Sequence, residues 1–343
     1  MDNLHFIASY LHSFFYQYLA KQKGLSDNTI LAYRDTVKLL LRFASKHFNQ
    51  DADKLNVEDM DNKFICNFLD DLEKNRGCGI NTRNARLAAI RTLFLYIGDQ
   101  EPALLEQSRQ IRNIPLKRTE YKPVTYLEDN ELKTILNSID LNSRTGLRDR
   151  ALILFLYNTG ARVQEAINVK LNDIRFEMPA EVTLLGKGKK QRVTPLWPDT
   201  IEAVNDYLKY RNAKGIQDEY LFLNANGKKI TRFGVRDIIK RYAQKASLKC
   251  SSLSKKTVST HTLRHTTAVH LIQSGNDINM VKLWLGHADI NTTHMYVEIS
   301  MELKRKILDT CDPPKSKKKY KWQKPSILTW LDNLSNGTEL CEV

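Results

Sequence analysis

His261-Thr262-Leu263-Arg264-His265 opens a stretch, residues 261 to 296, that continues through Leu285-Gly286-His287 to Tyr296. His261, Arg264, His287 and Tyr296 stand in it at spacings suited to a phosphodiester. His261 and Arg264 are three apart and are followed by apolar positions. That pattern predicts a helix presenting both from one face near its start, the end of a helix that favours anions. Gly286 predicts a helix stop just before His287. Asn291-Thr292-Thr293 offers a new N-cap, so a short second helix is expected to carry Tyr296 back toward the first.

Any one such residue in a basic protein is ordinarily surface or packing, and the weight comes from a second cluster upstream. Asn158-Thr159-Gly160-Ala161-Arg162-Val163-Gln164-Glu165 follows a strongly apolar helical run, and Gly186-Lys187-Gly188-Lys189-Lys190-Gln191-Arg192 joins two alternating strands. Together these stretches resemble the tyrosine recombinase (phage integrase) family, its bacterial Xer-like members in particular. Arg162 falls on the family's first arginine, where TGARVQE stands for the usual TGLRxSE, and Glu165 falls on the acidic residue one turn later. Lys187 falls on the hairpin lysine, His261 and Arg264 on HxLRH, His287 on LGH and Tyr296 on the nucleophile. The departures are Ala161 for leucine and Gln164 for serine. The match runs from about residue 126 to about 310.

The resemblance implies a mainly α fold with a small antiparallel β-sheet, arranged as a two-domain C-shaped DNA clamp. It also implies a covalent 3′-phosphotyrosine that keeps the bond energy for rejoining, so no cofactor and no metal are expected. The partners implied are double-stranded DNA carrying specific recombination sites and a homotetramer on synapsed DNA. A phosphodiester under attack gains negative charge on its non-bridging oxygens. Arg162 and Arg264 can offer planar forks to those oxygens, with His287 as a third donor. His261 can accept the tyrosine proton or donate to an oxygen. Lys187 suits the leaving 5′-oxygen. Tyr296, a phenol with an ordinary pKa near 10, needs such cations or a base to attack. Two rival functions share parts of this pattern: a type IB topoisomerase and a DNA-binding protein without catalysis.

The composition agrees with a polyanion partner. The 343 residues carry 53 Lys and Arg against 39 Asp and Glu, a formal charge of +14. No stretch approaches the roughly 18 apolar residues of a spanning helix, and the N-terminus lacks a signal-peptide pattern. A soluble protein of the bacterial cytoplasm, nucleoid-associated and without a membrane partner, is expected. Five scattered cysteines without CxxC spacing indicate neither a disulfide framework nor a zinc module. His261 and His265 could share a metal-facing helix side, but no third ligand stands nearby.

Apolar periodicity predicts helices over about 5–23, 26–48, 57–74, 81–97 and 104–111, an all-helical DNA-binding (SAM-like) domain over 1–112. In it Arg34, Lys38 and Arg42 form a basic ridge on the second helix, and Thr82, Arg83 and Arg86 crowd the start of the fourth, as phosphate contacts would. Residues 113–125 read as an extended basic linker. The catalytic domain is expected over 126–311, with strands near 173–177, 181–185 and 191–196. Lys189, Lys190 and Arg192 on its hairpin, and Arg232, Arg236, Lys240 and Arg241 on a later helix, are further candidate DNA contacts. Beyond Pro313-Pro314 and a lysine run, 312–343 reads as a basic linker and an oligomerisation helix. Ser326 would cap it, with Ile327, Trp330, Leu331 and Leu334 on one face.

Overall fold

Between residues 7 and 112 the buried apolar residues of the helices meet in one shared core, to which the helix Ile80–Gln100 gives most of its circumference. In this computed structural model the described residues are 5–119, 124–186, 188 and 190–286. Lys187, Lys189, His287, Tyr296 and the whole of 312–343, with Ile327, Trp330, Leu331 and Leu334, lie outside them. The chain divides into two compact units, Met1–Lys122 and Pro123–Val343.

In the first unit, α1 (Ile7–Ser13) passes into π-helical winding over Phe14–Gln22. Then come α2 (Asp27–Phe48), α3 (Asn62–Lys74), α4 (Ile80–Gln100) and α5 (Leu105–Arg112). Phe14, Leu40, Phe68, Ile90 and Phe94 are buried together at the centre. Ser26 caps α2, and Asn49 ends it in the left-handed conformation at φ 51°. The third helix begins later than periodicity predicts. Val57 and Met60 are buried from a turn closed by Met60 N–H on the Val57 carbonyl, and Asp61 then caps α3 by accepting from Phe64 N at 2.7 Å.

Arg83 departs from its expected role as a phosphate contact. It lies one to three turns before Leu87, Ile90 and Phe94 on the stripe of α4 that faces the core, so the helix turns it inward and leaves it 5% exposed. Its guanidinium donates to the Pro115 carbonyl at 3.2 Å and pairs with Glu73 at 3.4 Å. Asn84 Nδ2 donates to the Lys117 carbonyl at 2.8 Å, and Arg91 donates to the Ile114 carbonyl. Residues 114–117, expected as the start of a free linker, are thus fastened to the first unit.

The second unit runs α6 (Asp129–Asn137), α7 (Gly146–Thr159), α8 (Val163–Asn168), β1 (Ile174–Arg175), β2 (Glu181–Leu185), β3 (Gln191–Pro195), α9 (Pro198–Ala213), α10 (Arg232–Ser247), α11 (Thr260–Gln273) and α12 (Ile278–Leu285). The strands form an antiparallel sheet in the order β1-β2-β3, with Val182 opposite Thr194 and Leu184 opposite Arg192. Apolar on nearly all sides, α7 is buried almost throughout, as continuous apolarity requires. A smaller cluster of Ala268, Val269, Ile272, Val281 and Leu285 packs α11 against α12. Among the described residues no helix is long and apolar enough to cross a membrane.

Arg83→Ala is expected to lower the free energy of unfolding by about 2 kcal/mol, the scale of hydrogen bonds to a charged group, as read by denaturant titration. The salt dependence of polyanion binding should keep its slope. A slope reduced by about one, with stability unchanged, would restore Arg83 as a phosphate contact.

Candidate active site

The buried α7 ends at Gly160, whose φ of 56° takes the chain out of the helix in a conformation that disfavours side chains. A Cβ there would also lie 2.5 Å from Leu285 Cδ2. The sharp exit brings Arg162 to the head of α8, half-exposed, with Glu165 buried one turn on. Glu165 accepts from the Arg162 backbone N–H at 3.0 Å and from Arg162 Nη1 at 2.9 Å, and a third bond comes from Arg192 Nη2 at 2.7 Å. Burial would raise its pKa. The bond and charge of Arg192, and then the bonds from Arg162, outweigh that and hold the carboxyl below the usual range.

Ser259 caps α11 by accepting from Thr262 N at 3.2 Å. His261 and Arg264 follow on the first turn, as expected, but at different depths: His261 is exposed and Arg264 is 4% exposed. Arg264 Nη1 donates to the Gly160 carbonyl at 2.6 Å, and Nη2 donates to the Leu285 carbonyl at 2.7 Å. One side chain therefore ties the turn before Arg162 to the end of α12. Trp284 Nε1 adds a bond to the Asn158 carbonyl at 3.1 Å, and Gly286 closes α12 at φ 63° immediately ahead of His287. His265, half-buried beside the site, has its pKa pushed down to about 4 by burial and then by the charges of His261 and Arg264, so it is neutral at physiological pH. Tyr157 is a tyrosine close in sequence to Arg162. Burial, and then Asp129, push its phenol up to about 12, the reverse of what a nucleophile needs.

Arg192 likewise departs from its expected role. Expected as a phosphate contact, it is on the inward face of β3 with Thr194, because its strand partner Leu184 faces the core. Its side chain is only 11% exposed. Its Nε donates to the Trp284 carbonyl at 3.0 Å while Nη2 holds Glu165.

The structure therefore joins Arg162, Glu165 and Arg264 with the backbone ahead of His287, sets His261 on the same helix turn as Arg264, and adds Arg192 and Trp284, which sequence reading did not place in the site. The joined arrangement is a set of fixed cations around two helix ends, suited to an anionic group.

Other candidate contacts separate by exposure. In the first unit Arg34, Lys38 and Arg42 are exposed along α2. Thr82 is exposed, and Arg86 is half-buried with Nη1 on Cys78 Sγ at 2.9 Å. In the second unit Lys190 is exposed, and Arg232, Arg236 and Lys240 form an exposed row on α10. Phe233 lies within that row, under the guanidiniums of Arg232 and Arg236 at 4.8 and 5.5 Å. Arg241 is committed to the buried Asp149 at 2.6 Å.

Residues 125–302 match the Phage integrase family, and residues 13–101 match the phage integrase N-terminal SAM-like domain. A putative integrase/recombinase, y4rC, of Sinorhizobium fredii is 35% identical over 96% of this chain and 98% of its own length. Tyrosine recombinase XerD of Staphylococcus epidermidis is 32% identical over 85% of this chain and 95% of its own. Among solved structures, the XerH site-specific recombinase bound to a palindromic difH substrate in a post-cleavage complex is similar. It has a TM-score of 0.65 and 26% identity, and the match covers 82% of this chain and 79% of that one.

The carboxylate between two arginines carries a pH signature. Because the Glu165 pKa is below its unfolded value, its stabilising contribution is complete above about pH 4.3 and is lost as pH falls through the lower folded value. Glu165→Gln is expected to cost about 2 kcal/mol at pH 7, and the gap from wild type should narrow as the pH falls below about 4.3. A gap constant down to pH 3 would show that the carboxylate charge is not what the arginines hold.

Proposed function

Because this chain belongs to the phage integrase family of tyrosine recombinases, we propose that Arg162, Arg264 and His287 hold the scissile phosphate, that Tyr296 attacks it and that Lys187 protonates the leaving 5′-oxygen. The protein is an enzyme that breaks and rejoins DNA strands through a phosphotyrosine intermediate. The observation that carries the residue assignment is the pair of bonds from Arg264 to the Gly160 and Leu285 carbonyls. They bring the Arg162 turn and the residue before His287's glycine to one guanidinium. These carbonyls hold the guanidinium in place, so its charge stands fixed before the phosphorus becomes five-coordinate, and preorganised charge of this type is worth most to a transition state. Glu165 turns Arg162 toward the same phosphate. His261, exposed on the first turn of α11, takes the tyrosine proton or donates to a phosphate oxygen.

On this reading 1–112 is a helical core-binding domain, 113–125 joins it to a catalytic domain over 126–311, and 312–343 is a basic linker and oligomerisation helix that serves a homotetramer on synapsed sites. The exposed ridges of α2 and α10, with Lys190, follow the phosphate backbone. Integration or excision of a mobile element in a bacterial cytoplasm is the favoured setting. The putative integrase/recombinase y4rC matches 96% of this chain, so the likeness extends well into 312–343, whereas the XerD match covers 85%.

The substrate for testing is a suicide duplex selected from a randomised library by covalent capture on the wild-type protein. Tyr296→Phe should bind it with unchanged affinity and give no adduct on a denaturing gel; adduct from this variant would remove Tyr296 as nucleophile. Lys187→Ala should cleave slowly and recover on a 5′-bridging sulfur substrate, whose leaving group needs no proton. Persistent slow cleavage there would mean that Lys187 holds phosphate. Replacing Arg34, Lys38 and Arg42 together by alanine should reduce the slope of log affinity against log salt by up to about 3, and an unchanged slope would take α2 off the DNA.

A further inference from the structure

Arg192 stands on a strand that leaves the lysine turn, yet its guanidinium is turned into the protein, with Nε and Nη2 both bonded there. Nη2 reaches Glu165 Oε2, the atom that also accepts the Arg162 backbone N–H, while the other Glu165 oxygen holds Arg162 Nη1. Nε reaches the carbonyl of Trp284, two residues before Gly286. Gly286 itself is closed around the same side chain: a Cβ there would be 3.1 Å from both Arg192 Cδ and Nη1. One planar group therefore touches three elements that each lead to a proposed reacting residue. These are β3, which begins four residues after Lys187, the carboxylate that orients Arg162, and the turn that delivers His287.

We propose that Arg192 is a positioning residue of the reaction: through Glu165 it sets the Arg162 guanidinium on the scissile phosphate, and through the Trp284 carbonyl it fixes the turn that carries His287. This rests on the assignment of Arg162 above. Without Arg192, Glu165 keeps its two bonds to Arg162 but loses its second cation, and it is free to swing and take the Arg162 guanidinium with it. Lysine cannot replace it, because an ammonium is a point donor and cannot span two acceptors held by a planar fork.

The test uses full-length protein and the captured suicide duplex, in its natural form and with a methylphosphonate at the scissile position, which removes the charge that Arg162 neutralises. For Arg192→Ala and Arg192→Lys we expect affinity within about 2-fold of wild type with an unchanged salt slope. At saturating protein the rate of adduct formation should fall roughly 100-fold, the scale of losing one preorganised donor. On the methylphosphonate duplex the deficit relative to wild type should shrink to a few-fold. Affinity retained by Arg192→Lys also establishes that the variant is folded.

A salt slope reduced by about one with a normal cleavage rate would make Arg192 a phosphate contact and overturn the proposal. A deficit of equal size on both duplexes would overturn it as well, since a general loosening of the fold does not depend on the charge of one phosphate. Loss of binding by both variants would assign Arg192 to folding alone and defeat the proposal. If Arg162→Ala shows no deficit on the natural duplex, the assignment of Arg162 fails first. If Arg162→Ala is impaired and both Arg192 variants cleave normally, only the role of Arg192 fails.

Discussion

The buried guanidinium of Arg264 is the constraint on which the site depends. A charge at 4% exposure is costly unless its donors are engaged, and its acceptors here include two main-chain carbonyls far apart in sequence, Gly160 and Leu285. Each belongs to a chain end that needs a partner. The Gly160 carbonyl sits where α7 stops, and that of Leu285 is one of the last carbonyls of α12, which find no N–H donor within their own helix. The arginine thus satisfies two orphaned helix ends at once. Losing it would expose both, and the turn before Arg162 and the turn before His287 would part.

A second cation, Arg192, closes the arrangement from the strand side. Glu165 stands between it and Arg162, so the surface arginine is held by a carboxylate that is itself neutralised from behind. The order of depth matters. Arg192 is the more buried partner and Arg162 the more exposed, with side chains 11% and 38% exposed. The carboxylate's compensation therefore falls chiefly on the inner cation, which leaves the outer one able to meet an incoming anion. An isolated Arg162–Glu165 pair would instead be close to neutral to its surroundings.

Much of this was legible in the sequence, and the failures share one cause. The stop at Gly286, the hairpin and the apolar α7 follow from local chemistry and lie within a few residues of where the sequence puts them. The start of α3 does not, because Val57 and Met60 are apolar for the sake of a buried turn rather than a helix face. Charge, with a place at a helix start or beside a hairpin, makes Arg83 and Arg192 read as phosphate contacts, although their registers point inward. Arg83 repeats with Leu87, Ile90 and Phe94 at helical spacing, and Arg192 alternates with Thr194 opposite two buried residues of β2. What no local pattern could supply was the identity of the acceptors. The Pro115 carbonyl for Arg83 and the Trp284 carbonyl for Arg192 are tertiary neighbours, 32 and 92 residues away.

These inward arginines change how the charge of +14 is to be read. Arg83, Arg148, Arg211 and Arg264 are all buried. Arg211 spends its donors on the carbonyls of Ile216, Asp218, Tyr220 and Leu221, and Arg148 shares Asp149 with Arg241. In each case the planar fork collects loop carbonyls or a carboxylate that an ammonium could not span, so these residues work as fasteners for turns. A count of basic residues therefore overstates the cations that can displace counterions from DNA. The contacts that set salt dependence are to be sought among exposed rows such as those of α2 and α10, where the helix repeat places successive cations on one side with their heads in water.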